Sequence, residues 1–185
     1  MTRTDDELMA RVRAGDAQAF TELYERHGRP VLTFLARLTA DYALAEDLLQ
    51  ETFVRLYRAR AEYEATGHFR AFLFTIARRL VIDWRRGRKL VWADEPAALE
   101  NMEGVDRAEH RAEARELAVR LEAAIQHLPV SQREIVLLSR YAGLSTEEIA
   151  RVTGSTPGAV RVGLHRALHR LRQLIEPPEP PSHVA

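Results

Sequence analysis

Apolar residues in this chain recur three and four positions apart, and that recurrence leaves room for only one kind of secondary structure. From Asp41 they fall at Leu44, Leu48, Leu49, Phe53, Leu56 and Tyr57, and after Phe69 at Phe72, Leu73, Ile76, Leu80 and Trp84. Such spacing gathers them on one face of a helix. No convincing alternation of apolar and polar residues marks a strand, so an all-α fold is expected.

Start and stop signals divide the pattern. Asp5 or Asp6 can cap a first helix that runs to about Arg13, and Gly15-Asp16 opens a second through Phe20, Leu23 and Tyr24. Pro30 suits the first turn of a third, carrying Val31, Phe34, Leu35 and Leu38. Asp41 opens a fourth, residues 61 to 68 read as a loop, and a long helix follows from Phe69 to about Arg88. The periodicity then fades in WADEPAALENMEGVD and returns from Glu113 to His127; Ser131 can cap a further helix that Gly143 ends. Two last helices precede the proline-rich end PPEPPSHVA. The expected architecture is two small helical domains, 1–90 and 113–175, joined by a flexible acidic linker, 91–112, and followed by a tail, 176–185.

Net charge is formally zero over 185 residues, but it is unevenly placed. Residues 1–90 carry 16 Lys+Arg against 13 Asp+Glu, and residues 113–175 carry 9 against 6; residues 91–112 carry 2 against 6. Two mildly basic blocks therefore flank an acidic connector. The chain has no cysteine, which removes disulfides, thiolate metal sites and cysteine nucleophiles from consideration. A charged N-terminus and the lack of a long apolar run predict neither a signal peptide nor membrane insertion, and a cytoplasmic setting is expected.

Three stretches carry chemistry. Ser145 and Glu148 form a capping box, Gly154 permits a sharp turn, Ser155 can cap the next helix, and Pro157 fits its first turn. That is a helix-turn-helix pattern, whose second helix would offer Ser155, Thr156, Gly158, Ala159, Arg161, Val162, His165 and Arg166 to a major groove. The second stretch, DYALAEDLLQE from Asp41, has four acids and no base, which suits a basic or polar protein partner and repels DNA. The third is IARRLVIDWRRGRK, where Arg78, Arg79, Arg85, Arg86, Arg88 and Lys89 face a single acid, Asp83. Such a cluster marks a phosphate backbone, and Trp84 with the nearby Tyr63, His68 and Phe69 could stack on unpaired bases. Alternatively, these aromatics are core and the arginines only solubilise the helix. His165 and His169 have the spacing of a metal pair but no evident third ligand, so no metal site or cofactor is expected. No P-loop or GxSxG motif suggests an enzyme.

Taken together, GDAQAFTELYERH, AEDLLQETFVRLYRAR, FRAFLFTIARRLVIDWRRGRK, LPVSQREIVLLSRYAGLSTEEIA and TGSTPGAVRVGLHRAL resemble a bacterial RNA polymerase sigma factor of the extracytoplasmic-function group, in family order. The resemblance implies sigma regions 2 and 4. It assigns Asp47, Leu48, Gln50, Glu51 and Phe53 to the clamp of the polymerase beta-prime subunit, and the basic helix with its preceding loop to the minus-10 promoter element. The helix-turn-helix would read the minus-35 element, its flank would meet the beta flap, and an anti-sigma factor is the expected regulator. Relatives often carry asparagine where Arg79 stands, and serine and arginines where Val162, Gly163 and Leu168 stand. A glycine inside a helix costs about 1 kcal/mol relative to alanine, so a weakened recognition helix is expected. Rival readings are a dimeric DNA-binding regulator that never engages polymerase, which leaves DYALAEDLLQE unexplained, and an interaction protein with sigma-like surfaces.

Overall fold

A computed structural model describes residues 3–88 and 111–175, with the side chains of 88 and 111–115 excepted. The expected linker and tail lie outside these residues for the most part. Among the described residues eight α-helices follow one another: α1 (Asp5–Arg13), α2 (Ala17–Thr39), α3 (Tyr42–Arg58), α4 (Phe69–Arg88), α5 (Arg111–Gln126), α6 (Val130–Arg140), α7 (Thr146–Thr153) and α8 (Pro157–Ile175), with one 3-10 turn at Ala59–Ala61. No strand occurs among the described residues.

The central element is α2, which packs against α1, α3, α4 and α6. Its buried stripe comprises Ala19, Leu23, Val31, Phe34, Leu35 and Leu38, and Phe34 meets Phe74 of α4 edge to face at 5.4 Å between ring centroids. One helix here replaces the two expected. Asp16 caps it by accepting from the backbone N–H groups of Gln18 and Ala19, and Pro30 lies inside it. An interior proline forgoes a backbone hydrogen bond and costs about 3 kcal/mol. Here the apolar stripe continues in phase on both sides of Pro30, so a break would forfeit more burial than the missing bond is worth.

Other boundaries moved for equally local reasons. Thr4, not Asp5 or Asp6, caps α1, in a capping box with Glu7. Ser131 falls within the first turn of α6, whose N-cap is Pro129 and has no side-chain cap bond. Asp41 caps α3 as expected, accepting from the Leu44 N–H at 3.0 Å.

The two halves of the chain touch. Besides α2 on α6, α7 lies along α4, and the buried residues of both halves merge into one cluster. Within the second half, α8 crosses α6 so closely that a Cβ on Gly163 would stand 2.8 Å from Ile135 Cδ1. The missing side chain at Gly163 leaves room for the tip of Ile135, which would have to shift to admit one. Gly163→Ala and Ile135→Val should thus be coupled. A double-mutant cycle read by urea unfolding should show at least about 0.5 kcal/mol of favourable interaction, and strict additivity would remove Gly163 from the crossing.

Candidate polymerase and nucleic-acid interfaces

The helix-turn-helix assembles from local signals. Ser145 and Glu148 complete the capping box of α7, and Gly154 ends it in the left-handed region, at φ 67°. Thr156, rather than Ser155, supplies the side-chain bond to α8, its Oγ1 accepting from the Ala159 N–H at 3.2 Å. Ile149, Ala150, Val152 and Val160 turn inward. Ser155, Thr156, Gly158, Ala159, Arg161, Val162, His165 and Arg166 are all exposed. The unit thus offers one continuous outward surface that includes the cations Arg161 and Arg166.

On α3 the outward face is better defined than the sequence suggested. Ala43, Asp47, Gln50, Val54 and Tyr57 are exposed and follow one another at intervals of four and three, the repeat by which one helix seats another. Glu46 and the half-buried Glu51 border the acidic end of this stripe. At its other end, Tyr24 of α2 packs its ring 4.8 Å from that of Phe53, and Arg60 lies 4.0 Å over the ring of Tyr57. Leu48 and Phe53 are placed differently from the expectation. Both are buried, at 8% and 3% exposure, and they brace α3 from behind while Asp47, Gln50 and Glu51 face outward. Val54, Tyr57 and Tyr24 escaped the sequence reading because an apolar residue in a helical pattern is more often core.

The third surface lies around the start and end of α4. The Tyr63 and Phe69 rings are buried, at 5% and 2% exposure, and so are not free to stack on a base in this conformation. They instead pack on each other at 6.0 Å. Burial, then the bond to Asp6, pushes the Tyr63 hydroxyl well above its ordinary range; it remains a donor to Asp6 Oδ1 at 2.5 Å. Asp6 also accepts from the Gly67 N–H at 2.7 Å, and Arg13 donates to the Tyr63 carbonyl. Helix α1 therefore holds the loop at 62–68, a role for Asp6 and Arg13 that the sequence did not signal. Between this loop and α4 lies an open cleft of about 340 Å³, lined in part by Glu62, Glu64, His68 and Phe72.

Along α4, Arg79 and Arg86 are exposed, whereas Arg78, Trp84 and Arg85 are half-buried. Arg78 Nε donates to Glu134 Oε1 at 2.6 Å, and Arg85 donates to the Leu38 carbonyl at 2.7 Å. Burial lowers the affinity of Arg85 for its proton and nearby Glu134 opposes this, so its charge is partly satisfied from within. Arg88 closes α4, with its side chain outside the described residues, as is Lys89. Among the described residues no group of three His, Asp or Glu could hold a metal ion.

Two family models match this chain: Sigma-70 region 2 over residues 23–91 and Sigma-70, region 4 over residues 118–171. The chain belongs to the sigma-70 family. It is 39% identical over 167 residues to RNA polymerase sigma factor CarQ of Myxococcus xanthus, covering 90% of this chain and 95% of that one. It is 38% identical over 183 residues to ECF RNA polymerase sigma factor ShbA of Streptomyces griseus, covering 91% and 94%. Among solved structures, CnrH in complex with the cytosolic domain of CnrY superposes with a TM-score of 0.70 at 26% identity, covering 92% of this chain and 96% of that one. RpoE of Bartonella quintana, solved with the anti-sigma factor NepR, shares the fold at a TM-score of 0.69 and 23% identity, covering 85% and 97%.

In this sigma factor, region 2 comprises α2 to α4 and region 4 contains α6 to α8. The exposed guanidinium of Arg161 gives a direct test. With the chain bound to core polymerase on a duplex promoter, Arg161→Ala should reduce the slope of log K against log salt by about 0.9, one phosphate contact. An unchanged slope with unchanged affinity would exclude Arg161 from the interface.

Proposed function

We propose that this chain docks on core RNA polymerase through the outward face of α3 and directs it to promoters by reading two elements with α4 and α8. The observation that carries this reading is the stripe Asp47, Gln50, Val54, Tyr57, which is acidic at one end, apolar at the other and open along its length. A two-helix clamp bearing basic residues would find charge complementarity at the first end and apolar anchors at the second. Asp47, Gln50 and Glu51 carry the polar part of the contact. Leu48 and Phe53 act through the helix they support.

The minus-10 element would meet Arg79, Arg86, Arg88 and Lys89 from the backbone side, with Arg78 and Arg85 joining when their internal partners release them. A base leaving the duplex has the cleft beside His68 and Phe72 as its nearest receptor, where Glu62 and Glu64 can accept from exocyclic amino groups. Trp84 stands at the basic end of the same helix; Tyr63 and Phe69 shape the receptor from beneath. Aromatic capture returns roughly 1–3 kcal/mol per base, so strand opening is driven by binding and the protein catalyses no bond-making of its own. The minus-35 element would be read by the exposed surface of α8.

The partners are thus core polymerase, promoter DNA and an anti-sigma factor, the last supported by a neighbour solved with such a protein and by CnrH, solved with the cytosolic domain of CnrY. Among the described residues no helix is long and apolar enough to cross a membrane, and the cytoplasm, where polymerase is found, is the proposed location.

Transcription in vitro tests the reading. The purified chain with core polymerase should start RNA at defined sites in a promoter library. Asp47→Lys with Glu51→Lys should abolish co-elution with core enzyme while leaving the thermal midpoint within a few degrees, because Asp47 is exposed and the half-buried Glu51 gives up only an exposed-edge i,i+4 pair with Arg55. Full association of that variant would sink the assignment of α3.

A further inference from the structure

Two adjacent acids of α1 bind different neighbours. Asp5 faces α2: its Oδ1 accepts from Arg26 Nη1 at 2.6 Å, and its Oδ2 stands 3.0 Å from His27 Nε2. Asp6 faces the loop at 62–68. Its Oδ1 accepts from the Tyr63 hydroxyl and its Oδ2 from the Gly67 N–H at 2.7 Å, so a single carboxylate ties together two points of the loop. Seven residues on, two turns and about 10 Å along the same face, Arg13 donates to the carbonyls of Tyr63 and Arg60. Beneath these contacts Leu8, Met9 and Val12 are buried, so the helix that carries both grips is itself fixed to the core.

The loop depends on such outside support. No helix or strand runs through residues 62–68, and their own backbone contributes the bond from the Thr66 N–H to the Glu64 carbonyl at 2.9 Å. Gly67 sits at φ 76°, in the left-handed region that glycine enters without strain, and at that turn the N–H finds its partner in α1. Glu62, Tyr63, Glu64, Thr66 and His68 of the same loop line the cleft of about 340 Å³ beside α4. The shape of that cleft is therefore set partly from a helix that does not line it.

We propose that Asp6 is a positioning residue for base selection: from outside the cleft it fixes where Glu62, Glu64 and His68 stand, and thereby favours an unpaired base that carries an exocyclic amino group over thymine, which has none. The inference rests on the promoter-reading function above, because it concerns the receptor assigned there. Asp6 touches no nucleotide in this role. Acceptors held at fixed separations reject a base that leaves them unpaired, whereas a loose loop adapts to whichever base arrives and loses the distinction. A loop ordered beforehand also loses less conformational freedom on capture.

The test uses the full chain bound to core polymerase on a promoter opened by mismatches across the minus-10 element, so that melting is not what is measured. Each non-template position there is exchanged in turn, and the readout is the ratio of dissociation constants, thymine over the best amino-bearing base. The unmutated chain should show a large ratio at one position. Asp6→Ala should lower that ratio about tenfold, the discrimination that one hydrogen bond to a charged acceptor confers. Partial loss of fold reduces the active fraction equally on every template and leaves the ratio alone, so the ratio separates positioning from mere support. Tyr63→Phe, which keeps the ring and removes the hydroxyl, should lower the ratio in part, and adding it to Asp6→Ala should lower it no further. In the free full chain, hydrogen exchange at the Gly67 amide should quicken at least tenfold in Asp6→Ala while peptides of α2 keep their protection. An unchanged ratio in both single variants overturns the proposal, as do additive losses in the double variant or unchanged exchange at Gly67. If no base exchange alters binding by the unmutated chain, the functional reading of the cleft fails and this inference with it; if the unmutated chain discriminates and Asp6→Ala does so equally, the positioning role alone fails.

Discussion

Burial of the apolar stripe along α2 is the constraint on which everything else depends. Its 23 residues run from Ala17 to Thr39, and α1, α3, α4 and α6 pack on it. Residues fully removed from water, Leu23, Phe34 and Leu35 among them, are each worth about 1.5–3 kcal/mol. That total explains why the helix tolerates Pro30. It also fixes the geometry of function: α3 is held with its acidic side outward, and α4 is set so that its cationic end projects beyond the core. Surface chemistry here follows from one buried line of side chains.

The helical class, the helix α3 with its acidic exposed residues and the α7–α8 junction were legible because each depends on signals a few residues apart: apolar spacing, a capping box, a glycine at a turn. What failed to show was decided by partners distant in sequence. Nothing within Ala17–Thr39 says that the stripe continues through Pro30; the surrounding helices decide that. Tyr63 and Phe69 looked like base-stacking candidates, yet Asp6, 57 positions from Tyr63, draws the loop inward. Leu48 and Phe53 share a motif with Asp47 and Glu51, and only the placement of α2 determines which of them face water. The stripe reaching Val54 and Tyr57 was hidden for the converse reason, since periodicity cannot tell an exposed apolar face from a buried one.

The three surfaces differ in how their charge is balanced. The acids of α3 are largely open to solvent, apart from Glu51, which pairs with Arg55 at 2.8 Å, and they are available to a partner at little desolvation cost. The cations of α4 are divided. Arg79 and Arg86 face water, whereas Arg78 is engaged with a carboxylate from the other half, in surroundings dry enough that neither group is easily left alone. A formal net charge of zero thus conceals complementary charges arranged within a single molecule.

Where α8 crosses α6, Gly163 and Ile135 share a single parcel of space. A side chain gained at 163 requires the tip of the partly buried Ile135 to move aside or shrink, which couples a position on α8 to one on the helix behind it.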